Sequence, residues 1–522
     1  MNDLRIDHAR CLIGNRLRCG VVGITGDRIS YVGPAAGAPP ARRVIDGRGL
    51  VLAPGFIDTH AHSELYALRG RRAVAKIAQG ITMEITGNCG LGAFSFRTTA
   101  QARAWLRSYA GVFGDGRVSW RVVRGYARAV AGVTPTNLAP LSAYGPLRLA
   151  AAGNAPRPLT KTEMRALAKM LRAELAAGTL GLSLGMIYPP CSYADEQELR
   201  QALAVLAEFP GRVLAVHGWD EGNRTVESVQ RVLQLTRDFP VRVELSHLKA
   251  YGRANWPKYA TLARLVRAAR RSGREIGFDS NPYGAGSTTA NALLPPWALA
   301  GGPAVFCRRL REPAVVAQLR DELAAPAEEW ENFLQIIGAD RICLTNLQRT
   351  PQLSGKTIND IARALGTDAA GAICRLIADE QGQAGILMFS MDETRAAKLC
   401  RDPLGVPGSD GLFGRGMHPR AFGMMPAYFR AVTRGADGLS AGEALWKMTT
   451  LPADRFGLHD RGRLAVGCAA DLVLLDLKKF ASRATYACPE QTPTGVRAVW
   501  VNGRLAWHEN RVQSCAGSVV LV

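Results

Sequence analysis

Residues 55–62 read GFIDTHAH, an apolar run that ends in two histidines spaced by one residue. On a β-strand, residues i and i+2 point to the same face, so His60 and His62 leave one strand end in one direction. Two more apolar runs end the same way. RVLAVH closes on His217 and RVELSH closes on His247, 30 residues later, about one strand–helix unit. The remaining strand-like runs are Ile81–Thr86, Asn137–Ala143, Thr179–Leu184, Ile276–Ser280 and Leu404–Asp410, and the first run extends over Leu52–Thr59. Helical patterns such as Leu159–Ala176 and Arg224–Asp238 lie between them. Eight strands alternating with helices predict an α/β chain, a (β/α)8 TIM-like barrel whose chemistry gathers at the C-terminal strand ends.

The last gap is too long for one strand–helix unit, so residues 290–400 are expected to hold an inserted helical segment beside the barrel mouth. The ends of the chain differ from the middle. CGVVGITGDRISYVG near the start, and GVRAVWVNGRLAWHENRV near the end, read as hairpins. They are expected to join as a small β-sandwich domain built from both termini. The expected division is 1–52 and 461–522 for that domain and 53–460 for the barrel.

The composition excludes several classes. Of 522 residues, 47% are hydrophobic and 21% charged, enough for a folded core and against general disorder. No apolar run is long enough to span a bilayer, and the opening MNDLRIDHARCLIG has no signal-peptide core. A cytoplasmic protein without membrane partners is expected. Eleven scattered cysteines with no CxxC pair argue against a disulfide framework or a zinc ribbon. The net charge of +21 invites a polyanion partner. However, Arg264, Arg267, Arg271 and Arg274 share one helical face opposite Leu262, Leu265, Val266 and Ala269, which describes a solvated helix. No nucleic-acid footprint of clustered bases and aromatics is found.

Only eight histidines occur, and four of them fall at predicted strand ends. Cys89, just past the second strand in EITGNCG, and Asp410, just past the eighth in GVPGSDG, would reach the same mouth. A thiolate, imidazoles and a carboxylate make a metal-binding set. Two other motifs carry no site. GLSLG (181–185) has the GxSxG spacing, but Pro189–Pro190 oppose the helix that a nucleophile elbow needs. SGKT (354–357) lacks the upstream P-loop glycine, since Thr350 stands there.

With these residues in place, the chain resembles the amidohydrolase superfamily, and within it the N-acyl-D-amino-acid deacylases. The matching stretches are APGFIDTHAH, ITGNCG, GLSLGMIYPP, HGWDEGNR, SHLKAYGRANW, NPYGAGSTTANALLPPW, GSDG with MHPRAFG, and GRLAVGCAADLVLLD. The resemblance implies a zinc-dependent hydrolase of N-acyl-D-amino acids. It implies Cys89, His217 and His247 at a tight Zn2+ site, with Cys89 in the bridging place, and His60, His62 and Asp410 at a second, weaker one. Asp410 would serve as general base and then acid. Arg420, Lys249, Tyr283, Ser287 and Tyr188 would bind the small-molecule substrate, Arg420 through its α-carboxylate. One departure stands out: Gly218 and Trp219 follow His217 where the family pattern has any residue and then arginine. Two alternatives stay open. One is a related amidohydrolase acting on cyclic amides or dipeptides, hydantoinase-, dihydroorotase- or peptidase-like. The other is a non-enzymatic basic barrel that binds polyanions.

Overall fold

The run Leu52–Thr59, continuous by its apolar pattern, is split at Gly55 in the computed structural model, which describes residues 1–522. Val51–Pro54 pairs with a terminal sheet, whereas Phe56–Asp58 begins the barrel. A β-carbon at Gly55 would collide with the Thr82 side chain, so the chain crosses between the two sheets where there is no side chain to place.

The barrel strands are Phe56–Asp58, Ile81–Thr86, Asn137–Ala143, Gly181–Gly185, Val213–His217, Arg242–Leu245, Ile276–Ser280 and Gly405–Pro407, all parallel to their neighbours. The third strand breaks at Leu141: Asn137–Pro140 pairs with the second strand and Ser142–Ala143 with the fourth. The eighth strand meets the first through Thr59 N donating to Pro407 O (3.1 Å) and a parallel bridge between Ala61 and Gly411. Helices cover the outside. Lys161–Ala176 starts at a Thr160–Glu163 capping box and buries Met164, Leu167, Leu171 and Leu175, spaced three and four apart. Lys258–Arg271 buries Leu262, Val266 and Ala269 and turns its arginines outward, as its sequence pattern predicts.

The insertion starts earlier than expected and is not wholly helical. Ala285–Thr289 pairs antiparallel with Gly385–Phe389, which also pairs with Ile342–Thr345. Helices such as Pro313–Ala324 and Ala369–Asp379 pack around this small sheet with a core of their own, including Leu319, Phe333, Ile361 and Ile373. The alternating Ser-Thr-Thr of the first strand carries too little apolar signal to read as a strand.

Both termini contribute to one nine-stranded sheet, from Asn2–Ile13 to Arg511–Val512. The hairpins predicted at Gly26–Asp27 and Asn502–Gly503 are present. Leu4, Ile6, Val22 and Ile29 from the beginning of the chain share a core with Leu472, Leu474 and Trp500 from its end. All eleven cysteines are unpaired. No helix is long and apolar enough to cross a membrane.

Candidate metal centre and active site

Six side chains from five strand ends converge at the barrel mouth, all buried. Cys89 Sγ lies 3.2 Å from His60 Nε2 and 3.3 Å from His247 Nε2. His217 Nδ1 is 2.9 Å from His247 Nε2, so His247 links Cys89 to His217. Asp410 Oδ1 lies 3.3 Å from His62 Nε2 and 3.7 Å from His60 Nε2. His60–Cys89–His247 and His60–His62–Asp410 each bring three ligating atoms within 4.8 Å of one another. A third such group, His217–Glu221–His247, adds a residue that the sequence reading missed.

The backbone explains how the strand ends deliver these groups. Cys89 (φ 55°), His247 (φ 37°) and Asp410 (φ 48°) all occupy the left-handed region, uncommon for residues with a β-carbon. Each conformation costs on the order of 1–3 kcal/mol, and such strain clusters where a site must be shaped. Gly87 and Gly90 flank Cys89 with positive φ, and a β-carbon at Gly90 would press on Cys191 Sγ and Gly185 N at 2.8 Å.

Buried acids hold the imidazoles from behind. Asp279 accepts from His60 Nδ1 (3.0 Å) and from the His247 backbone N (2.9 Å). Glu221 Oε1 lies 2.7 Å from His247 Nδ1. Both acids had a sequence signal: Asp279 interrupts a buried apolar strand, and Glu221 follows His217 by four residues. A buried carboxylate needs a partner, and here the partner is a ring.

The electrostatics are set by burial and by neighbours. Burial drives His217 and His247 well below the usual imidazole range, Lys249 adding to the effect at His247. His60 goes the other way, because Asp279 and Cys89 outweigh its burial. Burial pushes the Cys89 thiol up to about 11 against the pull of His60. Burial would raise the Asp410 carboxyl, but Arg420 and the imidazoles hold it well below the usual carboxylate range. His62 Nδ1 and His217 Nε2 are buried without partners. Two imidazole nitrogens face one sulfur, which as a thiol has a single proton to share. Such a donor set, soft sulfur with imidazole nitrogen and carboxylate oxygen, suits a cation such as Zn2+ held by these residues.

The five expected substrate-binding residues divide. Arg420 is fully buried; its Nη2 donates to Asp410 Oδ2 (2.6 Å) and Ser287 O (3.0 Å), and its Nε to Asp410 O (2.7 Å). Its Nη1 has no partner, and neither has Ser287 Oγ, so both polar groups remain uncommitted beside Asp410. Tyr188 lays its ring edge on His217, 5.1 Å between centroids, and bonds Thr288 Oγ1 at 2.8 Å. Lys249 is committed elsewhere: its Nζ donates to both Glu221 oxygens at 2.8 Å and lies 2.8 Å from His247 Nδ1. Tyr283 packs its ring on His418, 4.8 Å between centroids, and its buried hydroxyl also has no partner. At the departure from the family pattern, Arg231 covers the Trp219 ring at 3.9 Å, and a β-carbon at Gly218 would collide with Ser228. The two motifs set aside are structural: Ser183 bonds Gly87 O, and Thr357 caps the helix Ile358–Leu365.

N-acyl-D-aspartate deacylase of Alcaligenes xylosoxydans xylosoxydans is 32% identical over 503 residues, covering 95% of this chain and 90% of that protein. A crystal structure of a D-aminoacylase, described as defining a novel subset of amidohydrolases, superposes with a TM-score of 0.82 at 29% identity over the full length of both chains. N-acyl-D-glutamate deacylase from Bordetella bronchiseptica, solved with zinc and a phosphonate mimic of the tetrahedral intermediate, superposes with a TM-score of 0.81 at 28% identity, again over both full chains. The amidohydrolase family model matches residues 43–325 and 337–506, spanning the His60/His62 strand, Cys89, His217, His247 and Asp410 alike, so this chain belongs to the amidohydrolase family.

Proposed function

We propose that this chain is a zinc-dependent hydrolase that cleaves the amide bond of N-acyl-D-amino acids to a carboxylate and a free D-amino acid. The observation that carries the reading is the convergence of six candidate ligands, in overlapping groups of three, beside a buried arginine whose Nη1 has no partner. Full-length similarity to deacylases of N-acyl-D-aspartate and N-acyl-D-glutamate supports the substrate class. The catalytic unit is residues 53–460, with 1–52 and 461–522 as the accompanying β domain.

Cys89, His217 and His247 are the residues for a tight zinc position, and His60, His62 and Asp410 for a weaker one. Cys89 is suited to bridge them, because its sulfur stands between His60 and His247. When bound, zinc supplies a Lewis acid for the scissile carbonyl and a means of acidifying water near neutral pH. Asp410 performs the proton transfers. Its Oδ2 is committed to Arg420, so Oδ1 faces the imidazoles and accepts the proton of the attacking water. As the water oxygen bonds to the carbonyl carbon and the C–N bond breaks, Asp410 returns that proton to the departing nitrogen. Arg420 Nη1 and Ser287 Oγ, both without partners, bind the α-carboxylate in this reading. Lys249 acts on His247 directly and through Glu221, and Tyr188 bounds the site next to His217.

The test is metal content and hydrolysis measured on one sample against N-acetyl-D- and N-acetyl-L-amino acids. Zinc with D-selective release of the free amino acid is expected. Hydrolysis confined to cyclic amides, or a metal-free protein that hydrolyses nothing, overturns the reading.

A further inference from the structure

The GLSLG stretch forms the fourth strand and supplies no group to the chemistry, yet it holds the loop that carries Cys89. The third strand breaks at Leu141, and beside that break the loop Gly87–Gly90 reaches from the second strand to the fourth. Three contacts seat it there. Ser183 Oγ, fully buried, donates to Gly87 O and accepts from Gly90 N (3.1 Å), so one hydroxyl bonds the loop on both sides of Cys89. Gly185 lies directly against the Cys89 carbonyl, and a β-carbon at Gly185 would collide with that oxygen. A β-carbon at Gly90 would in turn press on Gly185 N at 2.8 Å.

Cys89 needs such a seat. Its φ of 55° is one that a residue with a β-carbon keeps only where its surroundings over-determine it. The direction of its Cα–Cβ bond follows from that backbone, and with it the place of Sγ between His60 Nε2 and His247 Nε2. The other side chains that bond the loop do less. Glu64 accepts from Gly87 N (2.8 Å), on one side of Cys89 only, and Asn88 turns back to Ile85 O. Ser183 is also fully engaged: its proton goes to Gly87 O and its oxygen receives Gly90 N, which suits a clamp and not a nucleophile.

Resting on the metal reading of the site, we infer that Ser183 and Gly185 are positioning residues that set Cys89 Sγ between the two metal positions. Ser183 works through its hydroxyl and Gly185 through its lack of a side chain. Their influence on the metal runs through Cys89.

The experiment uses the full chain, stripped of metal and reloaded with Zn2+ or Co2+. Competition with a chelator gives the zinc affinity, and the thiolate-to-cobalt charge-transfer band reports whether the sulfur reaches the ion. Ser183→Ala is expected to bind zinc about 10- to 100-fold more weakly and to show a weaker band at saturating Co2+. Gly185→Ala displaces the same loop by bulk, is expected to do the same, and answers the question if Ser183→Ala does not fold. Ser142→Ala removes another buried hydroxyl, one bonded to Thr179 Oγ1 (2.9 Å) and not to the Cys89 loop, and should keep the parent's affinity and band. In a Cys89→Ala background, Ser183→Ala should cost no further affinity. The inference is overturned, and the metal reading left intact, by any of three results: a folded Ser183→Ala or Gly185→Ala with the parent's affinity and band, the same loss in Ser142→Ala, or the same loss with and without Cys89. A parent chain that takes up neither ion overturns both.

Discussion

Two buried clusters of polar and charged groups share the first, second and eighth strand ends, and they differ in one respect. The deeper one joins Asp58, Lys76, Glu84 and Ser409. Lys76 Nζ donates to Asp58 Oδ2 and Ser409 Oγ at 2.6 Å each, Ser409 N donates to Asp58 Oδ1 at 2.8 Å, and Ser63 and Thr136 satisfy Glu84. None of these polar atoms lacks a partner. The outer cluster, two residues further along the first strand and one along the eighth, leaves His62 Nδ1, His217 Nε2, Ser287 Oγ and Arg420 Nη1 unpartnered and holds three residues in left-handed backbone. A satisfied network stabilises the barrel. An unsatisfied, strained one next to it is held by that network and is free to bind something else.

Four measurements break or sharpen this contrast. The largest effect is expected at Asp410. Asp410→Ala should lower kcat about 100- to 10,000-fold while zinc content stays near that of the parent. Zinc loss as severe as that of Cys89→Ala would show that Asp410 belongs to the tight position. Second, Lys76→Met strands Asp58 in the interior and should cost about 3–5 kcal/mol in denaturant unfolding. An unchanged midpoint would remove the distinction between the clusters.

Third comes a buried acid without a cation, Glu174. It accepts only from Val123 N (3.1 Å) and Ser95 Oγ (3.4 Å), and burial pushes its carboxyl up to about 7. A group raised in the folded state contributes stability that is present in full below its ordinary value near 4.5 and is lost as pH rises through about 7. Between those limits Glu174→Gln should therefore gain on the parent with rising pH, by roughly 3 kcal/mol in all. Parallel stability curves would show that burial alone does not set this group. The smallest effect is expected at Lys249. Because it holds both His247 and the Glu221 that supports it, Lys249→Met should weaken zinc binding about 10- to 100-fold. A raised KM with unchanged zinc affinity would place it on the substrate instead.

The outer cluster is largely legible in the sequence, since His60 and His62 share a face by the two-residue period and His217 and His247 occupy matching strand ends. Its supports are less so. Asp279 and Glu221 are single acids whose partners lie 219 and 26 residues away along the chain, and no local period connects them. Lys249 reads as a rim cation because nothing in its own stretch shows that Glu221, 28 residues earlier, lies beneath it. The split at Gly55 and the strand Ala285–Thr289 were equally hidden, as each depends on a partner strand far along the chain.

Residue type and spacing by themselves settle which side chains leave the strand ends and in which direction, because strand geometry is local and repeats every two residues. Which of those groups remain free and which are held by a buried counter-charge depend on contacts between distant segments. Those contacts are set by packing and desolvation, and they exist only once the barrel has closed.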